Sequence, residues 1–297
     1  MKKFFILAVA TVLVSGISAA ETFAQVMKEG HAQRAKRQYA KAVEAFKKAR
    51  TLAVSQNDKF TSAFFTGVTQ GELKQFDQSL VTLREALAIA KFPSQKSSAQ
   101  FHIGYHLGCQ QKYDEAIAEM EKVEAVSPTP TGDYVLRSKT SLGQYMLAQK
   151  KYDKITETVK PAMLSRNHDI AIYAYSLSFE ASKKLKNNDG IKAAAEAVKK
   201  LNPKGMSSIF TQKRICYEYS RMNKDFETAV KFALEIPAIK GMPAIYRDHG
   251  HFYAGSTYEA MKQPQKALEE WKKVEKSVVP SIRKTANERI AKLTKKK

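Results

Sequence analysis

The chain has 297 residues, of which 50 are Lys or Arg and 29 are Asp or Glu, for a formal net charge of +21; 43% are apolar and the mean hydropathy is −0.42. That balance excludes a chain built of membrane spans, and two cysteines, Cys109 and Cys216, are too few for a disulfide-built scaffold. The excess of cations favours acidic partners or anionic surfaces, or serves only to keep an elongated chain dissolved.

Met1-Lys2-Lys3 precede an uncharged run from Phe4 to Ile17, and Ser18-Ala19-Ala20 follow before Glu21. A basic start, a short apolar stretch and small residues at its end are the layout of a secretory signal peptide. The run falls short of the roughly 20 residues that cross a bilayer. Residues 1–20 are therefore expected to be a signal peptide cut after Ala20, with no lipid-accepting cysteine and no stable membrane span in what remains. The mature protein would be periplasmic or secreted. An uncleaved N-terminal anchor is the other reading. Removing Lys2 and Lys3 leaves 48 basic against 29 acidic residues, a net +19.

From residue 22 on, one pattern repeats. "QYAKAVEAFKKA" recurs as "QFDQSLVTLREA", "KYDEAIAEMEKV", "KYDKITETVKPA", "DFETAVKFALEI" and "QPQKALEEWKKV", with a degenerate copy at "NNDGIKAAAEAV". Spacings of three and four, as in Tyr39, Ala42, Phe46 and Ala49, place the apolar residues on one helical stripe. Ala42, Ser79, Ala116, Ile155, Ile191, Ala229 and Ala267 mark the register at intervals of 36 to 39 residues. Twelve residues before these markers stand Gly30, Gly67, Gly104, Gly143 and Gly255, with Phe179 and Tyr217 in the other two copies. A glycine inside a helix costs about 1 kcal/mol relative to Ala, so its recurrence calls for close approach of a second helix. Each copy is thus read as a hairpin: a first helix with the Gly, a short turn, and a second helix with the Ala stripe.

Pro93, Pro128, Pro130, Pro203, Pro237, Pro243 and Pro280 fall between these units, where helices must stop, and Pro264 suits the first turn of a second helix. Pro161 falls inside the second helix of the fourth unit and is expected to end or kink it, with "SRNHD" as a loop. Cys109 and Cys216 lie among helical apolar positions more than a hundred residues apart and are expected as buried, unpaired thiols. After Pro280, Ile282, Ala286, Ile290 and Leu293 form one face of a last helix that would cover the open end of the array. Residues 281–297 carry seven basic residues and one acid, Glu288.

The pattern resembles the tetratricopeptide-repeat (TPR) family, most closely in "FYAGSTYEAMKQPQKALEEWKKVEKSVVP". The resemblance spans about residues 22–280 in seven units, with a period longer than the family's usual one. It implies an all-α, right-handed α-α superhelical solenoid over 21–280, closed by a capping helix and basic tail over 281–297. The family holds extended or helical peptides on an inner face lined by first helices. Carried over to this chain, that face includes Phe64, Phe101, Tyr105, Arg137, Tyr173, Lys183, Arg214, Arg221 and Phe252. The Lys and Asn pairs of the family's carboxylate clamp are replaced here by Met27, His31, Phe64 and Val68.

Short catalytic or nucleotide-binding motifs and C-x-x-C pairs are absent from the sequence, and the repeats leave no room for a catalytic domain of ordinary size. His102, His106 and Cys109 share a helix face and, with Glu72, could be drawn as a zinc site, although a core cysteine beside groove-lining or partly buried histidines accounts for them more simply. Asp248, His249 and His251 do not share one face. The expectation is a non-enzymatic envelope scaffold with no cofactor and no metal, whose partner is a protein or peptide. The alternative is an anionic polymer, a surface polysaccharide or nucleic acid, held by the basic surface.

Overall fold

The computed structural model describes residues 21–127, 129 and 132–295. The leader, its cleavage point, Pro128, Pro130, Lys296 and Lys297 lie outside the described residues.

Fifteen α-helices succeed one another, with no strand among the described residues. The first compact unit, up to Ile89, holds two hairpins: α1 (Phe23–Ala35) with α2 (Tyr39–Thr51), and α3 (Gln56–Glu72) with α4 (Phe76–Ile89). The second, from Ala90 on, begins with α5 (Pro93–Cys109) and α6 (Tyr113–Val126), then α7 (Asp133–Ala148) and α8 (Ile155–Met163). It continues with α9 (His168–Lys184) and α10 (Asn188–Lys199), α11 (Met206–Met222) and α12 (Phe226–Ala238), and α13 (Ala244–Ala260) and α14 (Pro264–Lys273), and ends on α15 (Pro280–Thr294). The seven expected hairpins and the last helix are all present.

All seven register residues are buried, six of them at 0% exposure and Ile191 at 3%. The recurring glycines face them as required. A Cβ on Gly30 would lie 2.5 Å from Phe46, one on Gly67 2.7 Å from Leu83, and one on Gly143 2.5 Å from Val159, each on the second helix of the same hairpin. Gly104 is looser, with Met120 Cγ at 3.1 Å. Phe179 and Tyr217, where glycine is missing, are themselves buried and fill the crossing.

The turns inside the hairpins share one geometry that the residue pattern did not announce. Arg37, Lys74, Gln111, Lys150, Lys186, Lys224 and Lys262 take left-handed backbone, with φ between 55° and 62°. In each turn the following N–H returns to a carbonyl five residues back, as Gln38 to Gln33, Lys151 to Met146 and Asp225 to Ser220, all at 2.9 Å. This is the six-to-one bond that satisfies a helix C-terminus. A left-handed side-chain-bearing residue costs about 1–2 kcal/mol, whereas a cation beside the helix C-terminus returns about 0.3–1 kcal/mol.

Pro161 ends its helix as expected: α8 is nine residues long, is preceded by a 3-10 turn at Tyr152–Lys154, and stops at Met163. The loop is shorter than expected, because His168 and Asp169 already form the first turn of α9, whose N-cap Asn167 accepts from the Asp169 N–H at 3.1 Å. In α15, Ile282 and Ala286 are buried and Ile290 and Leu293 pack beside them on Ala267, Trp271 and Val274. Both thiols are unpaired, and Cys216 is buried, but Cys109 is exposed. It is the final residue of α5, at the edge of the turn.

Candidate functional site

In the second unit the first helices of consecutive hairpins lie side by side, α5 on α7, α7 on α9, α9 on α11. Their exposed sides enclose a pocket of about 440 Å³. Phe101 and Tyr105 come from α5, Arg137, Thr140, Ser141 and Gln144 from α7, Asp169 and Tyr173 from α9, and Ser207, Ser208 and Thr211 from α11. Four of the residues inferred from the sequence, Phe101, Tyr105, Arg137 and Tyr173, are thus brought together.

The aromatic wall is partly open: Tyr105 is 45% and Tyr173 38% exposed, while Phe101, at 9%, backs them. Phe101 stacks on Tyr105 at 6.2 Å and leans on Tyr134 at 5.5 Å. The Tyr173 hydroxyl donates to Gln144 Oε1 at 2.8 Å, which fixes that ring. Burial pushes the Tyr173 phenol up to about 12 and raises that of Tyr105 as well, so both remain neutral hydroxyls across the physiological range.

The polar side mixes acceptors with the donors of Arg137 and Gln144. Thr140 donates to the Arg137 carbonyl and Thr211 to the Ser207 carbonyl, both at 2.8 Å, so each hydroxyl proton is already engaged on its own helix. Oxygen lone pairs remain for a ligand. Asp169 accepts from the N–H groups of Lys204 and Gly205 at 3.1 Å, ahead of α11. Burial alone would raise its carboxyl; the Gly205 bond, a Ser208 bond and the Lys204 bond outweigh it and hold the group below the ordinary value. Arg137 is exposed, and its guanidinium has no ion pair among the described residues.

Lys183 and Arg214 do not stand as free cations. Lys183 reaches Glu180 at 3.1 Å and Glu218 at 2.5 Å, and Arg214 reaches the same two carboxylates at 2.8 and 2.6 Å. Burial opposes all the charges, but these contacts outweigh it, raising Lys183 and Arg214 and lowering Glu180. Arg221 donates to the Tyr217 hydroxyl at 2.9 Å and to Ser256 Oγ at 3.0 Å, bridging α11 to α13. With Lys183 it borders a second, shallower concavity of about 360 Å³.

Phe64 belongs to the first unit, where it is buried and stacks on Phe60 at 5.6 Å. Phe252 meets Trp271 edge-on at 5.4 Å, within the cluster under α15. An aromatic series that sequence reasoning missed runs over α11 and α13: Phe210 stacks on Tyr246 and Tyr217 on Tyr253, both at 4.5 Å, with His249 edge-on between them at 5.7 and 5.9 Å. The spacing of Tyr246, His249 and Tyr253 by three and four was the available signal.

Of the metal candidates, the rings of His102 and His106 lie 5.9 Å apart, and Glu72 is held by Arg34 at 2.8 Å. No group of three potential ligands converges among the described residues. Asp248 accepts from Ser277, His249 Nδ1 faces the Ile245 carbonyl, and His251 meets Glu270, three separate directions. At the carboxylate-clamp positions, Met27, Phe64 and Val68 are buried. His31 is set edge-on to Phe46 and Phe65 at 5.1 and 4.4 Å.

Successive helix hairpins, five of the seven closed by a glycine at the crossing, with a pocket on the exposed side of the first helices, are the fold of tetratricopeptide-repeat proteins. Among solved structures the chain is similar to a tetratricopeptide-repeat protein from Parabacteroides merdae, with a TM-score of 0.55 and 11% identity over 92% of this chain and 98% of that one. It is similar to PilF of Pseudomonas aeruginosa, TM-score 0.57 and 14% identity over 82% and 99% of the two chains. It is also similar to the apo form of RapI, TM-score 0.54 and 14% identity over 86% and 76%. At such identities the likeness is one of fold. No protein-family model matches the chain, and no curated protein matches it by sequence.

Proposed function

We propose that the protein is a non-enzymatic scaffold of the bacterial envelope that holds a peptide, or a segment of a partner protein, in the pocket formed by α5, α7, α9 and α11. The observation that carries this reading is the pairing of two exposed tyrosine faces with the engaged hydroxyls of Thr140 and Thr211. Aromatic faces take up apolar side chains, and oxygen acceptors suit the N–H groups of an extended backbone. Export follows from the reading of residues 1–20 and is part of the proposal. The anionic-polymer alternative loses Lys183 and Arg214 as free cations of this surface, since Glu180 and Glu218 engage both.

The test is selection of a random displayed peptide library on the protein from Glu21 on, followed by titration of the selected peptides. Tyr105→Ala and Tyr173→Ala are each expected to weaken binding by about 1 kcal/mol or more, as interface anchors do. Affinity that falls steeply with ionic strength and ignores both substitutions would overturn the reading in favour of a polyanion.

A further inference from the structure

The C-terminal end of the second unit carries a charge excess that the pocket does not use, although Lys273 and Arg289 pair with Glu270 and Glu259 and Arg283 donates to the Ser277 carbonyl. Residues 262–295 hold ten Lys or Arg against four Asp or Glu, a net +6 in 34 residues. Of those four acids Glu270 is buried and already engaged by His251 at 2.7 Å and Lys273 at 2.6 Å. Lys266, Lys272, Lys276, Arg283, Lys284 and Lys292 are all exposed, and none forms an ion pair among the described residues.

Their placement is not what helix stability requires. Cations suit a helix C-terminus and are unfavourable at an N-terminus. Lys272 fits, but Lys266 lies in the first turn of α14, Arg283 and Lys284 lie at the start of α15, and neither helix has an acid in its first turn. The apolar side of α15 is already occupied by Ala267, Trp271 and Val274, so this helix cannot insert into hydrocarbon. A small concavity of about 170 Å³ lies where Glu259, Lys262 and Pro264 meet Lys292 and Leu293 of α15. Val278, between α14 and α15, is 66% exposed beside these cations and gives an apolar contact at headgroup depth.

We propose that α14 and α15 form a peripheral docking surface for an anionic lipid bilayer, bound by electrostatics to headgroups without insertion. Clusters of about four to eight Lys and Arg on an amphipathic helix suit such a surface, and the attraction is screened by salt. The site is independent of the pocket.

The experiment is co-sedimentation with vesicles of phosphatidylcholine alone and of phosphatidylcholine with phosphatidylglycerol. It uses the chain from Glu21 on, which contains every described helix and lacks the apolar leader. Expected is binding to the anionic vesicles only, reversed by salt and weakened at least tenfold by Lys276→Glu/Lys284→Glu/Lys292→Glu. The control Lys96→Glu/Lys192→Glu/Lys231→Glu, an equal charge change at exposed positions elsewhere, should retain most of the binding. Thermal melting checks that both variants are folded. Equal loss in the two variants, or absence of binding to anionic vesicles, would overturn the proposal. Binding to polyphosphate or heparin with none to anionic vesicles would overturn it in favour of a polymer.

Discussion

The Ser79 hydroxyl donates to the Gly67 carbonyl at 2.6 Å, joining the register residue of α4 to the register glycine of α3. The other hairpins place Ala or Ile at this marker position, and Ser79 shares their complete burial. Ser79→Ala removes one buried hydrogen bond and should cost about 0.5–1.5 kcal/mol. Ser79→Val adds a methyl group at the crossing as well and should cost more, about 1–3 kcal/mol. Urea unfolding of the two variants gives the order; equal losses would mean that packing at this crossing is not tight.

The glycine crossings differ in tightness, and substitutions should rank them. At Gly143 an added Cβ meets Val159 at 2.5 Å and Leu177 at 3.2 Å, so Gly143→Ala should destabilise by about 1–3 kcal/mol despite better helix propensity. At Gly104 the nearest atom belongs to the flexible Met120 at 3.1 Å. The Ala116 carbonyl oxygen would also lie at 3.2 Å, so Gly104→Ala should cost less than Gly143→Ala, while Gly104→Leu should cost about 1–3 kcal/mol from overpacking. Melting curves of the three variants check the ranking.

The left-handed turn residues permit a test of the hairpin geometry. Lys224 has φ of 60° and precedes Asp225, which returns its N–H to Ser220. Lys224→Gly relieves the backbone and should change stability by less than about 1 kcal/mol. Lys224→Val places a β-branched residue in that conformation and should cost about 1–3 kcal/mol. Chemical denaturation distinguishes the two.

The four-charge group on α9 and α11 gives the stability a definite acid limb. Glu180 is held below its ordinary value of 4.5, so its contribution is complete above that value and is lost as pH falls through the lower, folded value. Lys183 is raised above 10.5, so its contribution is complete below 10.5 and is lost only as pH rises beyond that. Glu180→Gln should therefore destabilise by about 1–3 kcal/mol at neutral pH, with the difference from the unaltered protein shrinking as the solution is acidified below 4.5. Urea midpoints across that acid range measure it, and a difference independent of pH would contradict the assignment.

The sequence by itself determined the hairpins, because their information is local. A stripe at three and four, a small residue twelve positions earlier and a proline between units each act within one or two helices, although Pro237 lies inside α12 rather than between units, and burial of Ala42, Ala116 and Ala267 follows from spacing alone. It also brought Phe101, Tyr105, Arg137 and Tyr173 into one group, because residues at repeated positions of parallel first helices must lie side by side. Only the tertiary structure decided what those positions do. Phe64 and Phe252 occupy equivalent places yet lie in packing, since an aromatic ring turns toward whichever neighbour offers apolar contact, Phe60 in one case and Trp271 in the other. Lys183 and Arg214 look like free groove cations in sequence and are paired in space, because their carboxylates come from i±3 and i±4 and from a helix 35 residues away at once. The engaged hydroxyls of the pocket and the exposure of Cys109 were illegible for the same reason: whether a side chain meets a neighbour, a ligand space or solvent depends on helices distant in the chain.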